Sequence, residues 1–492
     1  MEKELSSLAS HNTGDLVPLP TGRKAVACKW VYRVKLTPQG EPSSYKARLV
    51  AKGFTQRKGL DYFDTYAPVT RLNSIRLLLT IASSEKLEVD TLDVDSAYLH
   101  GVIDADIYMR QPEGFVNPEH PKWVLKLNKT LYGLKQAGKI WNDVVDSTLL
   151  ELGFVPTHGD PCLYVYNGIH GKIYLGVYVD DFLIAAKRTS LNWFEQEMSK
   201  RFQCKICSPV SQILGVTITP DGSGGFYLSQ ENYITTTVEE FGLQNASPLS
   251  LPVAGGDLGA TFSDNSPLLS NQSLYRQIVG KVMYAMLATR PDIAYAVGFL
   301  GRHSHAPTEL HLGIAKRLLR YLKGTATAKL QINAVGKPLI LTSYSDADWA
   351  GSEERKSTYG YVNFVAGAPI NWASKLESCV ALSTMEAEYI AACQTTRDIV
   401  SHRSILSDLG HPQVDPTIIY EDNQSTMYFA KGQTSHQRTK HIDIQWHYLR
   451  QEINEGAIEM EYIPSSEQIA DMFTKPLSAY DLRRLSSYLL QF

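Results

Sequence analysis

A chain of 492 residues with 43% hydrophobic and 20% charged side chains has the composition of ordinary globular domains, about three of them by length. A net charge of −3 excludes a uniformly basic nucleic-acid coat, so any polyanion must be met by local clusters. Met1-Glu2-Lys3-Glu4-Leu5-Ser6 has no apolar core, so no signal peptide is expected, and no apolar run reaches the roughly 20 residues of a membrane span. Six scattered cysteines, with the lone Cys204-x-x-Cys207 among them, fit reduced thiols better than a disulfide framework or a zinc site.

Residues 22–59 are locally basic, with Arg23, Lys24, Lys29, Arg33, Lys35, Lys46, Arg48, Lys52, Arg57 and Lys58 against Glu41 alone. Residues 29–35 alternate with period two, 37–40 supply a turn, and 45–52 return, which predicts a hairpin with a basic outer face suited to phosphate. A helix is expected over 74–87, followed by a strand over 92–99 that carries Asp93 and Asp95. A further strand at 123–127 and a helix from 141 to about 152 come next.

Residues 172–186 then place Asp180-Asp181 between two runs of β-branched, aromatic and aliphatic residues, which predicts a hairpin with both carboxylates at its turn. Asp is depleted in strands and adjacent like charges repel, so solvent or a cation must neutralise the pair. Antiparallel strands about 4.8 Å apart would bring Asp93, or Asp95 on the same face, beside it. Such a cluster suits two divalent ions about 3.5–4 Å apart, the arrangement used in phosphoryl transfer.

Asn, Pro, Gly and Ser mark 243–272 as a linker or long loop. Helical patterns follow at 275–287, 291–301 and 308–324, the last with Lys316, Arg317, Arg320 and Lys323 on what reads as a solvated face. From 339 the chain reads as a mixed α/β domain. Strands are expected at 339–344, 359–365, 369–373, 417–420 and 458–463, and helices at 383–406, from 425 and from 467. The expected organisation is therefore 1–242, a linker 243–272, a helical region 273–336, a mixed domain 337–480 and a tail 481–492.

The ordered set Lys46-Ala47-Arg48-Leu49-Val50-Ala51-Lys52-Gly53, Asp93-Val94-Asp95-Ser96-Ala97-Tyr98, Leu131-Tyr132-Gly133-Leu134-Lys135-Gln136-Ala137 and Tyr178-Val179-Asp180-Asp181 resembles reverse transcriptases of copia-type LTR retrotransposons. The resemblance runs from about residue 12 to 476. It implies a right-hand polymerase of fingers, palm and thumb, α/β and α+β multidomain in class, followed by a connection and a ribonuclease H-like mixed sheet. Carried over residue by residue, it makes Asp93, Asp180 and Asp181 the palm metal ligands and leaves Asp95 at a variable position. It makes Tyr98 a gate against a ribose 2′-OH, Arg48 and Lys46 holders of the incoming triphosphate, and Gly133 a close backbone approach to nucleotide and template. Two departures stand out: Gly138-Lys139 replaces the usual Pro-Arg, and Gly14 stands where Trp is usual.

The order strand-Asp346, helix-Glu386, strand-Asp422, helix-Asp471 looks like a ribonuclease H domain whose four carboxylates hold two ions. Pattern alone leaves Asp348, Glu388 and Glu421 as competing neighbours; the choice among them follows the resemblance. His441, in Thr439-Lys440-His441-Ile442-Asp443, reads as a structural imidazole. The implied function is RNA-directed DNA polymerase with hybrid-cutting ribonuclease H, using Mg²⁺ with Mn²⁺ as a substitute. Its expected partners are an RNA template, a DNA or RNA primer, the RNA–DNA hybrid and deoxynucleoside triphosphates, with no membrane. Gag, protease and integrase segments have no visible counterpart. The expected location is intracellular, in cytoplasmic virus-like particles or the nucleus. The alternative is an inactive or domesticated remnant that only binds nucleic acid.

Overall fold

The computed structural model describes residues 1–36, 42–256, 266–432 and 443–492, so the expected turn at 37–40 and His441 lie outside the described residues. The chain opens with α1 (Glu2–Ser10) and β1 (Gly14–Val17), then the antiparallel hairpin β2 (Cys28–Leu36) and β3 (Pro42–Ala51), with Val31 opposite Arg48 and Arg33 opposite Lys46. After α2 (Leu72–Glu85) come β4 (Glu88–Val94), β5 (Tyr108–Arg110), β6 (Val124–Leu127) and α3 (Ala137–Glu151). β1, β6 and β5 form a small sheet. In it Gly14 lies so close to β6 that a Cβ would sit 2.7 Å from the Lys126 carbonyl oxygen, which leaves no room for the Trp usual there.

The strands β7 (Val155–Pro156), β8 (Leu163–Gly168), β9 (Gly171–Tyr178) and β10 (Asp181–Ala186) are followed by α4 (Arg188–Arg201) and β11 (Cys204–Cys207). They build a six-stranded sheet in the order β11-β4-β10-β9-β8-β7. Both of its faces are covered. On β10, Leu183 and Ala185 pack into the apolar cluster that holds α2, while Phe182, Ile184 and Ala186 pack against Trp141 of α3 and Phe194 of α4. That explains why β10 reads as an unbroken apolar run: alternation disappears when neither face meets water.

Next come β12 (Gln212–Ile213), β13 (Val216–Pro220), β14 (Phe226–Ser229), α5 (Glu231–Glu240), α6 (Ser273–Ala288), α7 (Ala294–Arg302), α8 (Glu309–Gly324) and β15 (Lys329–Ile332). The cations of α8 are not all solvated. Lys323 donates to the carbonyls of Gln244 and Ala246, at 2.5 and 2.8 Å, and Arg320 to that of Ser247, at 2.7 Å, so this helix clasps residues 244–247.

The last region contains β16 (Leu341–Asp348), β17 (Thr358–Val365), β18 (Ala368–Leu376), α9 (Thr384–Asp408), β19 (Thr417–Glu421), α10 (Gln424–Ala430), α11 (Asp443–Asn454), β20 (Ile458–Tyr462), α12 (Asp471–Thr474), α13 (Ala479–Ser486) and β21 (Leu490–Gln491). Its sheet runs β18-β17-β16-β19-β20, antiparallel on one side of β16 and parallel on the other. The expected tail at 481–492 is corrected: α13 packs into the core and β21 pairs with β15, closing the five-stranded sheet β12-β13-β14-β15-β21. Three segments remote in sequence meet there, and no local pattern encodes such a pairing.

One buried apolar cluster runs from α2 through α6, α7 and α8 to β17, β18 and α9. Arg76 of α2 sits inside it, 4% exposed. Its guanidinium donates to the carbonyls of Ile370 (2.8 Å), Leu287 (2.8 Å) and Ala288 (3.0 Å), and lies 4.2 Å from the centre of the Trp372 ring. Burial lowers its pKa to about 9. At the edge of the same contact, Tyr174 Oη lies 2.7 Å from His411 Nε2 and donates to Glu85 at 3.0 Å. Among the described residues no helix is long and apolar enough to cross a membrane.

Candidate active sites

The hairpin β9–β10 turns at Val179 and Asp180. Val179 adopts φ 57°, a left-handed conformation that a β-branched residue holds only when its surroundings impose it. Those surroundings are visible. The indole Nε1 of Trp141 donates to the Val179 carbonyl at 2.7 Å, and the Val94 amide donates to the Asp180 carbonyl at 3.0 Å. β4 and β10 are in register with Asp93 opposite Asp181, so these carboxylates project from the same face as cross-strand partners. Asp95, past the end of β4, pairs instead with Lys205 of β11 at 2.6 Å.

Burial holds the Asp181 carboxyl up at about 6, with Asp180 and Asp93 adding to the rise. Asp180 is also raised, by burial and then Asp93, against the pull of Arg48 and Lys46. Hard oxygen donors carrying this much uncompensated charge fit a divalent ion. Arg48 reaches the site from β3, its guanidinium 4.8 Å from the centre of the Tyr132 ring. Tyr98, on the 3₁₀ turn after β4, meets the same ring edge-on, with ring centres 4.9 Å apart and planes at 78°. Gly133 has φ +91°, and a Cβ there would come 2.2 Å from the Ala51 carbonyl oxygen, so this backbone presses directly on β3. Gly138 stands in the first turn of α3 with only the Ala67 Cβ near its own Cβ position, at 3.5 Å.

In the C-terminal sheet, Asp346 of β16, Glu388 of α9 and Asp422, just after β19, bring ligand oxygens within 4.8 Å of one another. Among the described residues no other group of three His, Cys, Asp or Glu side chains converges so closely. The expected Glu386 is corrected to Glu388. Glu386 instead turns back on the helix start, where its Oε2 accepts from the Leu382 amide at 2.9 Å. Glu388 is 7% exposed and its Oε2 has no hydrogen-bond partner among the described residues. Burial, then the charges of Glu421, Asp346 and Asp422, raise its pKa well above the carboxylate range.

Asp471 of α12 joins this cluster through a cation. Lys475 Nζ lies 2.6 Å from Asp471 and 3.9 Å from Asp346, a protein ammonium standing among carboxylates as a metal ion would. Burial alone would lower the Lys475 pKa, yet Asp346, Asp471 and Asp422 together raise it. Thr474 donates to Asp346. α12 reaches β16 because Gly360, the register partner of Asp346, offers no side chain: a Cβ there would lie 2.5 Å from the Phe473 Cβ. Tyr132 and Lys475 were not expected as parts of either site. For Lys475 the signal is its i+4 spacing from Asp471, one turn on at the end of α12.

Residues 11–255 match the family described as reverse transcriptase (RNA-dependent DNA polymerase). The chain is 40% identical over 493 residues to the retrovirus-related Pol polyprotein from transposon TNT 1-94 of Nicotiana tabacum, covering 98% of this chain and 37% of that one. It is 37% identical over 490 residues to the corresponding polyprotein from transposon RE1 of Arabidopsis thaliana, covering 99% and 33%. It thus spans about a third of the length of these curated relatives. The putative transposon Ty5-1 protein of Saccharomyces cerevisiae is 36% identical over 311 residues, 63% of this chain and 100% of that protein. Among solved structures, the foamy viral protease-reverse transcriptase in complex with RNA/DNA hybrid superposes with a TM-score of 0.50 at 13% identity, over 96% of this chain and 54% of that one. The dRH form of the same viral protein, in complex with double-stranded DNA, gives 0.51 at 12% identity, over 94% and 69%. The fold is therefore the expected polymerase with a ribonuclease H-like sheet. The relatives and the family match agree, and the chain belongs to the copia-type retrotransposon Pol family, of which it carries the reverse transcriptase.

Proposed function

We propose that this chain extends a primer on an RNA template with deoxynucleoside triphosphates and cuts the RNA of the resulting hybrid at its second carboxylate cluster. The observation that carries the polymerase reading is the cross-strand pair Asp93–Asp181 with Asp180 at the adjoining turn. Asp93, Asp180 and Asp181 would hold divalent ions at one site and Asp346, Glu388, Asp422 and Asp471 at the other; bound there, Mg²⁺, with Mn²⁺ as substitute, supplies Lewis acidity toward the phosphate oxygens and the attacking hydroxyl or water.

The chain's own groups set the rest. The primer 3′-hydroxyl attacks the α-phosphorus, forming the phosphodiester as the bond to pyrophosphate breaks. Arg48, with Lys46 behind it, holds the triphosphate; a planar guanidinium fork suits paired phosphate oxygens. The Tyr98 ring crowds the sugar edge where a 2′-OH would project. Gly133 lets backbone approach the nucleotide closely. Base pairing selects the sequence, and the basic hairpin β2–β3 contacts backbone phosphates. Such work belongs inside the cell, in a cytoplasmic particle or the nucleus.

The test is primer extension on poly(rA)·oligo(dT) with Mg²⁺ or Mn²⁺, run beside cleavage of a labelled RNA–DNA hybrid. Wild type is expected to do both. Asp180→Asn should abolish extension and spare cleavage, and Asp346→Asn the reverse. Absence of extension by wild type in either metal would overturn the polymerase reading; absence of both activities would favour a remnant that only binds nucleic acid. If either substitution removed both activities, the two-site assignment would fall.

A further inference from the structure

The polymerase site contains an aromatic ring to which nothing above gives a role. Tyr132 touches both groups proposed to handle the nucleotide, Arg48 over its ring and Tyr98 in an edge-to-face contact. Among the described residues the Arg48 guanidinium makes no hydrogen bond or ion pair, so the Tyr132 ring is its defined partner. A long side chain with one aromatic partner is steered by that partner: a guanidinium over a ring gains from the ring quadrupole and loses the freedom to point elsewhere. The same ring also meets Tyr98, in the T-shaped geometry that aromatic pairs favour.

The ring cannot easily drift. The Ala51 amide donates to the Tyr132 carbonyl at 2.8 Å, which ties its backbone to the end of β3. Gly53 and Gly133 then lock the two loops face to face, since a Cβ on Gly53 would come 2.1 Å from the Gly133 carbonyl oxygen. Gln56 completes the latch: its Oε1 accepts from the Lys135 amide at 2.8 Å and its Nε2 donates to Gln136 at 3.0 Å. Tyr98 is held separately, by Thr130 donating to its carbonyl. The Tyr132 hydroxyl itself has no hydrogen-bond partner among the described residues, so its hold on both neighbours comes from the ring.

We infer that Tyr132 is a positioning residue that couples triphosphate binding to sugar selection, its ring being the shared wall that aims Arg48 at the phosphates and props Tyr98 at the sugar edge. This rests on the polymerase reading above. Losing the ring should therefore harm two separate discriminations at once and leave the grip on primer–template alone.

The experiment measures steady-state extension of oligo(dT) on poly(rA) with dTTP and with UTP, for wild type, Tyr132→Leu, Tyr132→Phe, Tyr98→Val and Arg48→Ala. Tyr132→Leu is expected to raise the KM for dTTP about threefold to thirtyfold, the range of a desolvated cation–π contact, with kcat falling much less. It should also move the dTTP:UTP preference toward that of Tyr98→Val. The KM for primer–template should stay within about twofold, and Tyr132→Phe should restore both nucleotide values. In an Arg48→Ala background, Tyr132→Leu should add little further to the dTTP KM, because the partner it steers is gone. Unchanged KM and sugar preference in Tyr132→Leu would overturn the inference while wild-type extension left the polymerase reading standing. Loss of primer–template affinity in parallel with dTTP affinity would also overturn it, as the mark of a merely structural ring. Equal damage in Tyr132→Phe would do the same by assigning the effect to the hydroxyl.

Discussion

Glu388 and Glu386 sit two positions apart on α9, and the helix turns their carboxylates toward different neighbours: Glu388 toward Asp346 and Asp422, Glu386 toward the Leu382 amide. Residues i and i+2 lie on different faces of a helix, so one of the pair can meet the sheet and the other cannot. Glu388→Gln is therefore expected to lower hybrid cleavage by more than about 100-fold. Glu386→Gln should leave cleavage near wild type and cost about 1 kcal/mol by weakening a charge-assisted cap at a helix N-terminus. A cleavage assay paired with urea unfolding separates the two; loss of activity in Glu386→Gln alone would reverse the assignment.

Arg76 serves three carbonyls from inside an apolar core, and no carboxylate pairs with it at ion-pair distance among the described residues. Arg76→Met fills similar space with no donors and strands the acceptors of Ile370, Leu287 and Ala288. The expected cost is about 3–5 kcal/mol in urea unfolding. A loss under about 1 kcal/mol would mean that these carbonyls find other donors.

Glu377, directly after β18, is 2% exposed, and burial holds its carboxyl up at about 8, with Glu386 adding to the rise and Ser357 opposing it. The folded chain thus keeps a proton that the unfolded chain has released above its ordinary value of 4.5. The stability linked to this group is fully present below that ordinary value and is lost as pH rises through about 8. Glu377→Gln, neutral and nearly isosteric, should flatten this part of the pH profile. Near the top of that window it should unfold roughly 2–4 kcal/mol harder than wild type. Parallel profiles for the two proteins between about pH 5 and 8.5 would disprove the linkage.

Gly138 departs from the family's usual Pro, and its backbone lies in the first turn of α3 with open space beyond the Ala67 Cβ. Gly138→Ala should stabilise the chain by about 0.5–1 kcal/mol through unfolded-chain entropy and helix propensity, read as a rise in the thermal midpoint. A fall in the midpoint would show that the Cβ strikes the loop carrying Ala67.

The hairpin that presents Asp180 and Asp181 is legible in sequence because β-branched and aromatic runs of strand length flank one conspicuous pair of charges. Asp93 against Asp95 is not legible, since two positions apart on one strand they share a face; in the structure Asp93 stands opposite Asp181, while Asp95 lies past the end of β4 and pairs with Lys205. Glu386 against Glu388 is hidden for a related reason: Glu-Ala-Glu offers two carboxylates, and helix phase is fixed only by where α9 docks. Arg76 is hidden more deeply, because its partners are main-chain carbonyls on two distant segments, and main-chain acceptors carry no sequence signature. The pairing of β21 with β15 is invisible for the same reason: a two-residue strand has no pattern of its own and exists because an edge awaits it.

That last strand has a consequence for how the molecule can be divided. β14, β15 and β21 draw one sheet from residues 226–229, 329–332 and 490–491, while α2 shares its buried face with β18. A cut between α5 and α6 would not release a polymerase and a nuclease as two modules. It would leave the first fragment with a bare sheet edge and with α2, buried from Ser74 to Ser83, stripped of its cover on the β18 side. The two carboxylate centres are in that sense furnishings of a single room: both stand against one shared apolar core, and neither can be lifted out without rebuilding the wall behind it.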